Sequence, residues 1–149
     1  MSDIQNIIDS VLNDKKSSRF NKRLNFLKDE KGMEISQIEE GNNQVSKVLA
    51  SGGRSFVIYG EPQSGKTEMM IALTCKLLDD GYKTIFIVMN DNTELENQNF
   101  NRFRSASELN TAPMKDSQLQ GMEIADLKTE KIRVIFCKKN KNNLEKVIE

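Results

Sequence analysis

The sequence predicts an α/β sandwich, helices around a short parallel sheet. Three observations carry this. Brief apolar runs, Phe56–Tyr59, Thr84–Met89 and Ile132–Cys137, alternate with segments of helical periodicity, an order that calls for parallel pairing through right-handed crossovers. A glycine-bounded loop, residues 60–67, joins the first run to a helix. The length, 149 residues, suits one compact domain.

The elements follow in chain order. Ile4, Ile7, Ile8, Val11 and Leu12 recur at helical spacing and predict an amphipathic helix over 2–14, with Ser2 and Gln5 spaced as a capping box. After the polar break at Lys15–Ser18 a weaker helix is expected around Phe20–Leu27, then a turn or linker at Asp29–Gly32. Residues 36–50 predict a third helix, weakened by Gly41 and stopped at Ser51-Gly52-Gly53. Phe56–Tyr59 reads as a strand. Residues 66–80 read as a helix with Met69, Met70, Leu73, Cys75 and Leu77 inward, ended by Gly81. The nearly all-apolar Thr84–Met89 predicts a strand buried on both faces. Asn92 or Thr93 caps a polar helix running to about Arg104, and 105–130 reads as a long loop with one short helix around Met122, Ile124 and Leu127. Ile132–Cys137 is the third strand, and Asn142–Glu149 starts a last helix.

Composition narrows the chemistry. With no His at all, a zinc site or a Ser-His-Asp triad has almost nothing to be built from. Cys75 and Cys137 fall inside apolar elements, which predicts buried reduced thiols. The apolar runs are too short for a membrane span or a signal peptide, so a soluble cytoplasmic protein without membrane contact is expected. The 22 basic and 22 acidic residues cancel, but unevenly. Residues 1–32 carry seven basic and five acidic groups, 33–127 eight and fourteen, 128–149 seven and three. The basic end suits phosphates locally; a solvated charged face accounts for it equally well.

The loop reads Gly60-Glu61-Pro62-Gln63-Ser64-Gly65-Lys66-Thr67, matching G-x-x-x-x-G-K-[ST]. Its four fixed positions coincide by chance in about one chain of this size in 200. Gly60 and Gly65 permit backbone angles that turn consecutive N–H groups into one concavity, and the helix behind aims its positive end there. Lys66 is the cation for the β- and γ-phosphates, hence the catalytic candidate, and the Thr67 hydroxyl suits Mg²⁺. Glu61 and Glu68 either shape the site or are plain first-turn acids. A Mg²⁺–nucleoside triphosphate, ATP in the first instance, is the expected ligand. Turnover also needs a carboxylate at a strand end, and the third strand ends Phe136-Cys137-Lys138-Lys139-Asn140 without one. Asp91 is the one acid well placed after a strand, and a helix cap or solvated turn is its plainer reading. Slow or absent hydrolysis is expected.

With these residues in view, the chain resembles the first RecA-like domain of superfamily 2 helicase-like ATPases, above all those associated with restriction endonucleases. Gln63-Ser64-Gly65-Lys66-Thr67, Asp79-Asp80-Gly81-Tyr82, the run Thr84–Met89, and Asn92-Thr93-Glu94-Leu95-Glu96-Asn97-Gln98 followed by Arg102 carry the likeness, which covers about 40–149. It implies a RecA-like three-layer sandwich. It also implies nucleic-acid contact after the second strand, which makes Asn92, Thr93, Gln98 and Arg102 candidates; a polar surface helix is the alternative. Such ATPases place a Gln upstream of the loop to read adenine; Gln44 is the better-spaced residue and Gln37 the other. The family continues to an Asp-Glu metal motif and a second RecA-like domain, so the chain is expected to be either the N-terminal part of a longer ATPase, with that domain or a nuclease domain as partner, or a short relative that binds without hydrolysing. Residues 1–32 form a helical appendage or linker, and 33–149 an incomplete RecA-like nucleotide-binding domain.

The leading function is thus the ATP-binding piece of a DNA-directed, helicase-like motor in restriction, defence or repair. A small phosphotransferase with Arg102 and Arg104 as a lid, and a non-hydrolysing interaction module using residues 2–14 and 128–149, remain open. A GTP switch is disfavoured, since Asn140-Lys141-Asn142-Asn143 lacks the Asp of the base-reading motif.

Overall fold

The structure, a computed structural model, describes residues 2–57, 59, 65–140 and 142. The chain divides into two compact units, Met1–Asp80 and Gly81–Glu149.

The first unit is helical among its described residues. Helix α1, Ser2–Ser17, leaves Ile4, Ile7, Ile8 and Val11 exposed, and its Gln5 amide donates to Asp9 at 3.1 Å. Helix α2, Arg19–Asn25, is capped by Ser18, whose Oγ accepts from Asn21 N. It runs into a π-helical turn, Phe26–Glu30, which carries helical structure past Leu27 into the start of the turn or linker read at Asp29–Gly32. Helix α3 is Ser36–Ala50. Its end is closed by Gly52, at φ +89°, and by Gly53 N donating to Val48 O at 3.0 Å. Helix α4 is Lys66–Asp79. Leu24 and Leu27 of the α2 segment pack with Ile38 and Ala72, and Phe20, Phe26, Met33 and Met69 close around them. Helix α4 is buried more fully than its periodicity predicts. Ile71, Ala72, Thr74 and Leu78 are inside along with Leu73, Cys75 and Leu77, whereas Met69 and Met70 are only half-buried. Gly41 faces Met69, whose Cε would lie 2.8 Å from a Cβ at that position, a clash that this flexible side chain can relieve by moving.

The second unit holds the sheet: β1, Thr84–Met89, β2, Met114–Lys115, and β3, Arg133–Lys138, all parallel in the order β1-β3-β2. Thr84 pairs with Arg133 and Met89 with Lys138. Central β3 buries Val134–Cys137. Helix α5, Thr93–Ser105, lays Phe100 and Phe103 edge-on to the Phe136 ring, at 5.5 and 5.0 Å between centroids. The buried guanidinium of Arg133 bonds the carbonyls of Asp126, Thr129 and Lys131, tying the short helix α6, Ile124–Leu127, to the start of β3.

Three expectations need correction. Phe56, Val57 and Tyr59 are not in a strand. Val57 is 91 % and Tyr59 95 % exposed; an apolar run becomes a strand only when a neighbouring ladder takes up its N–H and C=O groups, and no described strand pairs with this one. Strand β1 is not buried on both faces: Phe86 is 45 % and Val88 52 % exposed, as befits the edge of a sheet whose centre is β3. Finally, the expected loop over 105–130 contains the edge strand β2 and 3₁₀ turns at Ser107–Leu109 and Asp116–Gly121 besides α6. The third sheet strand is thus β2. Of the last predicted helix, residues 143–149 lie outside the described residues.

Candidate functional site

The loop's centre, Gly60, Glu61, Pro62, Gln63 and Ser64, lies outside the described residues; its end and the helix behind it do not. Gly65 stands at φ +78°, in the left-handed region, as the N-cap of α4. Its carbonyl accepts from Met69 N at 3.0 Å. The nearest atom to a Cβ there would be Met33 Cε, at 3.4 Å, so conformation and not space is what a side chain would violate. Lys66 and Thr67 open the helix and are half-buried. The first-turn N–H groups of a 14-residue helix, with its positive end and a lysine, make a place suited to an anion.

Two side chains shape the surroundings of this turn. Glu68 forms an ion pair with Arg23 of α2. Gln44 lies on the exposed side of α3, its amide donating to Glu40 Oε1 at 2.6 Å. It also borders a cavity of about 290 Å³ with Asn42, Phe56, Tyr59, Met69 and Leu73. Asn42, which sequence reasoning passed over, is 2 % exposed. Its amide nitrogen donates to Ile38 O at 2.7 Å, which fixes the orientation of the group and leaves Oδ1 without a hydrogen-bond partner among the described residues. Gln37 is exposed.

In the other unit, Asn92 caps α5, its Oδ1 accepting from Leu95 N at 3.0 Å. Thr93 Oγ1 accepts from Lys138 Nζ at 2.6 Å, and Lys139 N donates to Met89 O at 2.6 Å. The C-terminal ends of β1 and β3 therefore bring Asn92 and Thr93 beside a lysine that sequence alone did not connect to them. Gln98 and Arg102 are exposed one turn apart along α5. Asp91 sits 3.8 Å from Lys138 with 55 % of its side chain exposed, as a solvated turn acid does.

Carboxylates do gather at the end of β3, but they come from elsewhere. Glu96, buried, lies 3.5 Å from Lys115, and Asp116, buried, accepts from Ser117 N at 2.8 Å. Burial first, and then the charge of Asp116, pushes the Cys137 thiol above its ordinary value of 9.0. Both cysteines are buried and neither is in a disulfide. No group of three or more acidic or cysteine side chains able to hold a metal ion occurs among the described residues. None of their helices is long and apolar enough to cross a membrane.

A family model described as type III restriction enzyme, res subunit, matches residues 31–147. The chain belongs to this family. Residues 31–147 are accordingly an N-terminal domain of the superfamily 2 helicase-like P-loop ATPase type, and the small parallel sheet with its helices fits the RecA-like α/β fold. No curated protein and no solved structure matches the chain.

Proposed function

We propose that the chain binds Mg²⁺–ATP through residues 60–67 as the N-terminal part of a DNA-directed, helicase-like ATPase of restriction, defence or repair. The observation that carries this is Gly65, left-handed at the head of α4 with Lys66 and Thr67 as its first residues. In this reading the amides of Gly60–Gly65 cradle the phosphates, Lys66 meets the β- and γ-phosphates and Thr67 holds Mg²⁺. When bound, the metal neutralises charge between the terminal phosphates. The cavity supports a place for the base, since Tyr59 and Met69, which border it, flank the loop on either side in the chain. Gln44 and the open acceptor of Asn42 offer the polar contacts. Asn92 and Thr93, with Gln98 and Arg102, are the proposed contacts to a nucleic-acid backbone, which a helix N-terminus and polar caps suit.

Residues 1–32 are proposed as an appendage to a nucleotide-binding domain at 33–149, a division supported by the family match beginning at residue 31. A second RecA-like or nuclease domain is the proposed partner, and the cytoplasm the proposed location. Titration of a fluorescent ATP analogue with Mg²⁺ tests the central claim. Lys66→Ala should weaken binding about 10- to 100-fold, the worth of a hydrogen bond between charged groups; equal affinity in both proteins would refute it.

A further inference from the structure

We propose that Arg23 is a positioning residue of the nucleotide site, neutralising the Glu68 carboxylate at the head of α4 so that an anionic ligand can approach the neighbouring Lys66 and Thr67. The inference rests on the nucleotide reading above and extends the site to a segment outside the matched residues 31–147.

Arg23 is held in place on several sides. It is 5 % exposed and precedes the core residue Leu24 in α2. Its guanidinium lies over the Phe26 ring, 4.9 Å from the centroid. The start of α2 is fixed to the far end of α4, because the Asp79 carboxylate accepts from Arg19 N at 3.2 Å and Phe20 N at 2.9 Å. With α2 anchored there, Arg23 reaches Glu68, 11 positions before Asp79 in the same helix. The α2 segment thereby grips α4 at its last turn and at its first.

The sign of the charges decides what the second grip does. Glu68 follows Thr67 directly, within the turn whose N–H groups face the proposed phosphates. A bare carboxylate there repels a triphosphate, in a half-buried setting where solvent screens it only in part. Arg23 cancels that charge from the α2 side without being asked to touch the ligand. A purely structural ion pair predicts something different, since cutting it from either side would loosen the turn alike.

The test measures Mg²⁺–ATP and Mg²⁺–ADP affinity by calorimetry on the full chain, for the wild type, Lys66→Ala, Arg23→Ala, Arg23→Lys, Glu68→Gln and the Arg23→Ala/Glu68→Gln pair, with thermal unfolding of each. Arg23→Ala is expected to weaken ATP about fivefold or more and ADP less. Glu68→Gln should bind ATP at least as well as the wild type, and the double variant should return to within about twofold of it. Arg23→Lys should keep most of the affinity. Where Arg23→Ala does not fold, Glu68→Gln and Arg23→Lys decide. Weakening by Glu68→Gln as large as that by Arg23→Ala, no recovery in the double variant, or a loss in Arg23→Lys would each overturn the proposal while wild type and Lys66→Ala still differ. A wild type that binds no ATP would overturn the nucleotide reading itself, and this proposal with it.

Discussion

In the unit Met1–Asp80, charged side chains reach from one helix to another: Asp79 takes the first N–H groups of α2, and Arg23 of α2 takes Glu68. In Gly81–Glu149 the backbone takes the larger share, beside the side-chain ties of Arg133 and Lys138. Strand β3 bonds β1 along six residue pairs and β2 along two, while aromatic rings fill one side. Ladder and core are therefore expected to depend most on a buried ring, and the α2–α4 contact to depend on its carboxylates as well as on its apolar core. The head of α4 is thus tied to its neighbour by an ion pair, whereas the ends of β1 and β3 are held chiefly by the sheet ladder.

Three measurements break or sharpen this contrast. The largest effect is expected at Phe136, fully buried in central β3. Phe136→Ala should cost about 3–5 kcal/mol in urea unfolding, through lost transfer energy and the cavity left behind. A loss below about 1 kcal/mol would show that the rings of α5 do not carry the sheet. Next is Asp79→Ala, which strips two N–H groups of their acceptor and should cost about 1 kcal/mol, again by urea unfolding. No change there would mean that α2 docks through Arg23, Leu24 and Leu27 without help from Asp79. The smallest concerns Cys137. Its raised folded-state pKa means that the native state keeps the thiol proton that the unfolded chain gives up. Stability from this group is complete below the unfolded thiol value and is lost as pH climbs through the folded one, so unfolding free energy should fall from about pH 9 upward. Cys137→Ala should flatten that slope; an unaltered slope would assign it to other groups.

Much of this was legible in the sequence, and the failures have physical causes. The spacing of glycines around Lys66-Thr67 marked the loop, and Gly65 adopts the conformation that the motif requires. Asn92 announced its helix because a cap is a local bond, three residues long. Strand β2 could not be read: two residues after Pro113 have no periodicity, and only pairing with Ile135 and Phe136 makes them a strand. Phe56, Val57 and Tyr59 failed in the opposite direction, since their apolar character is real but a strand needs a neighbour. Arg23–Glu68 and Lys138–Thr93, 45 residues apart in each case, carry no mark in a chain where Lys and Arg are common; only the fold joins them.

Gly41 has a consequence of its own. A residue that weakens α3 by about 1 kcal/mol relative to alanine sits where Met69 of the phosphate-loop helix comes nearest. The partner across that seam is an unbranched thioether, the most pliable of apolar side chains, so the two helices meet through a bare backbone on one side and a yielding chain on the other. Such a joint lets the two helices lie close while a flexible side chain takes up the difference.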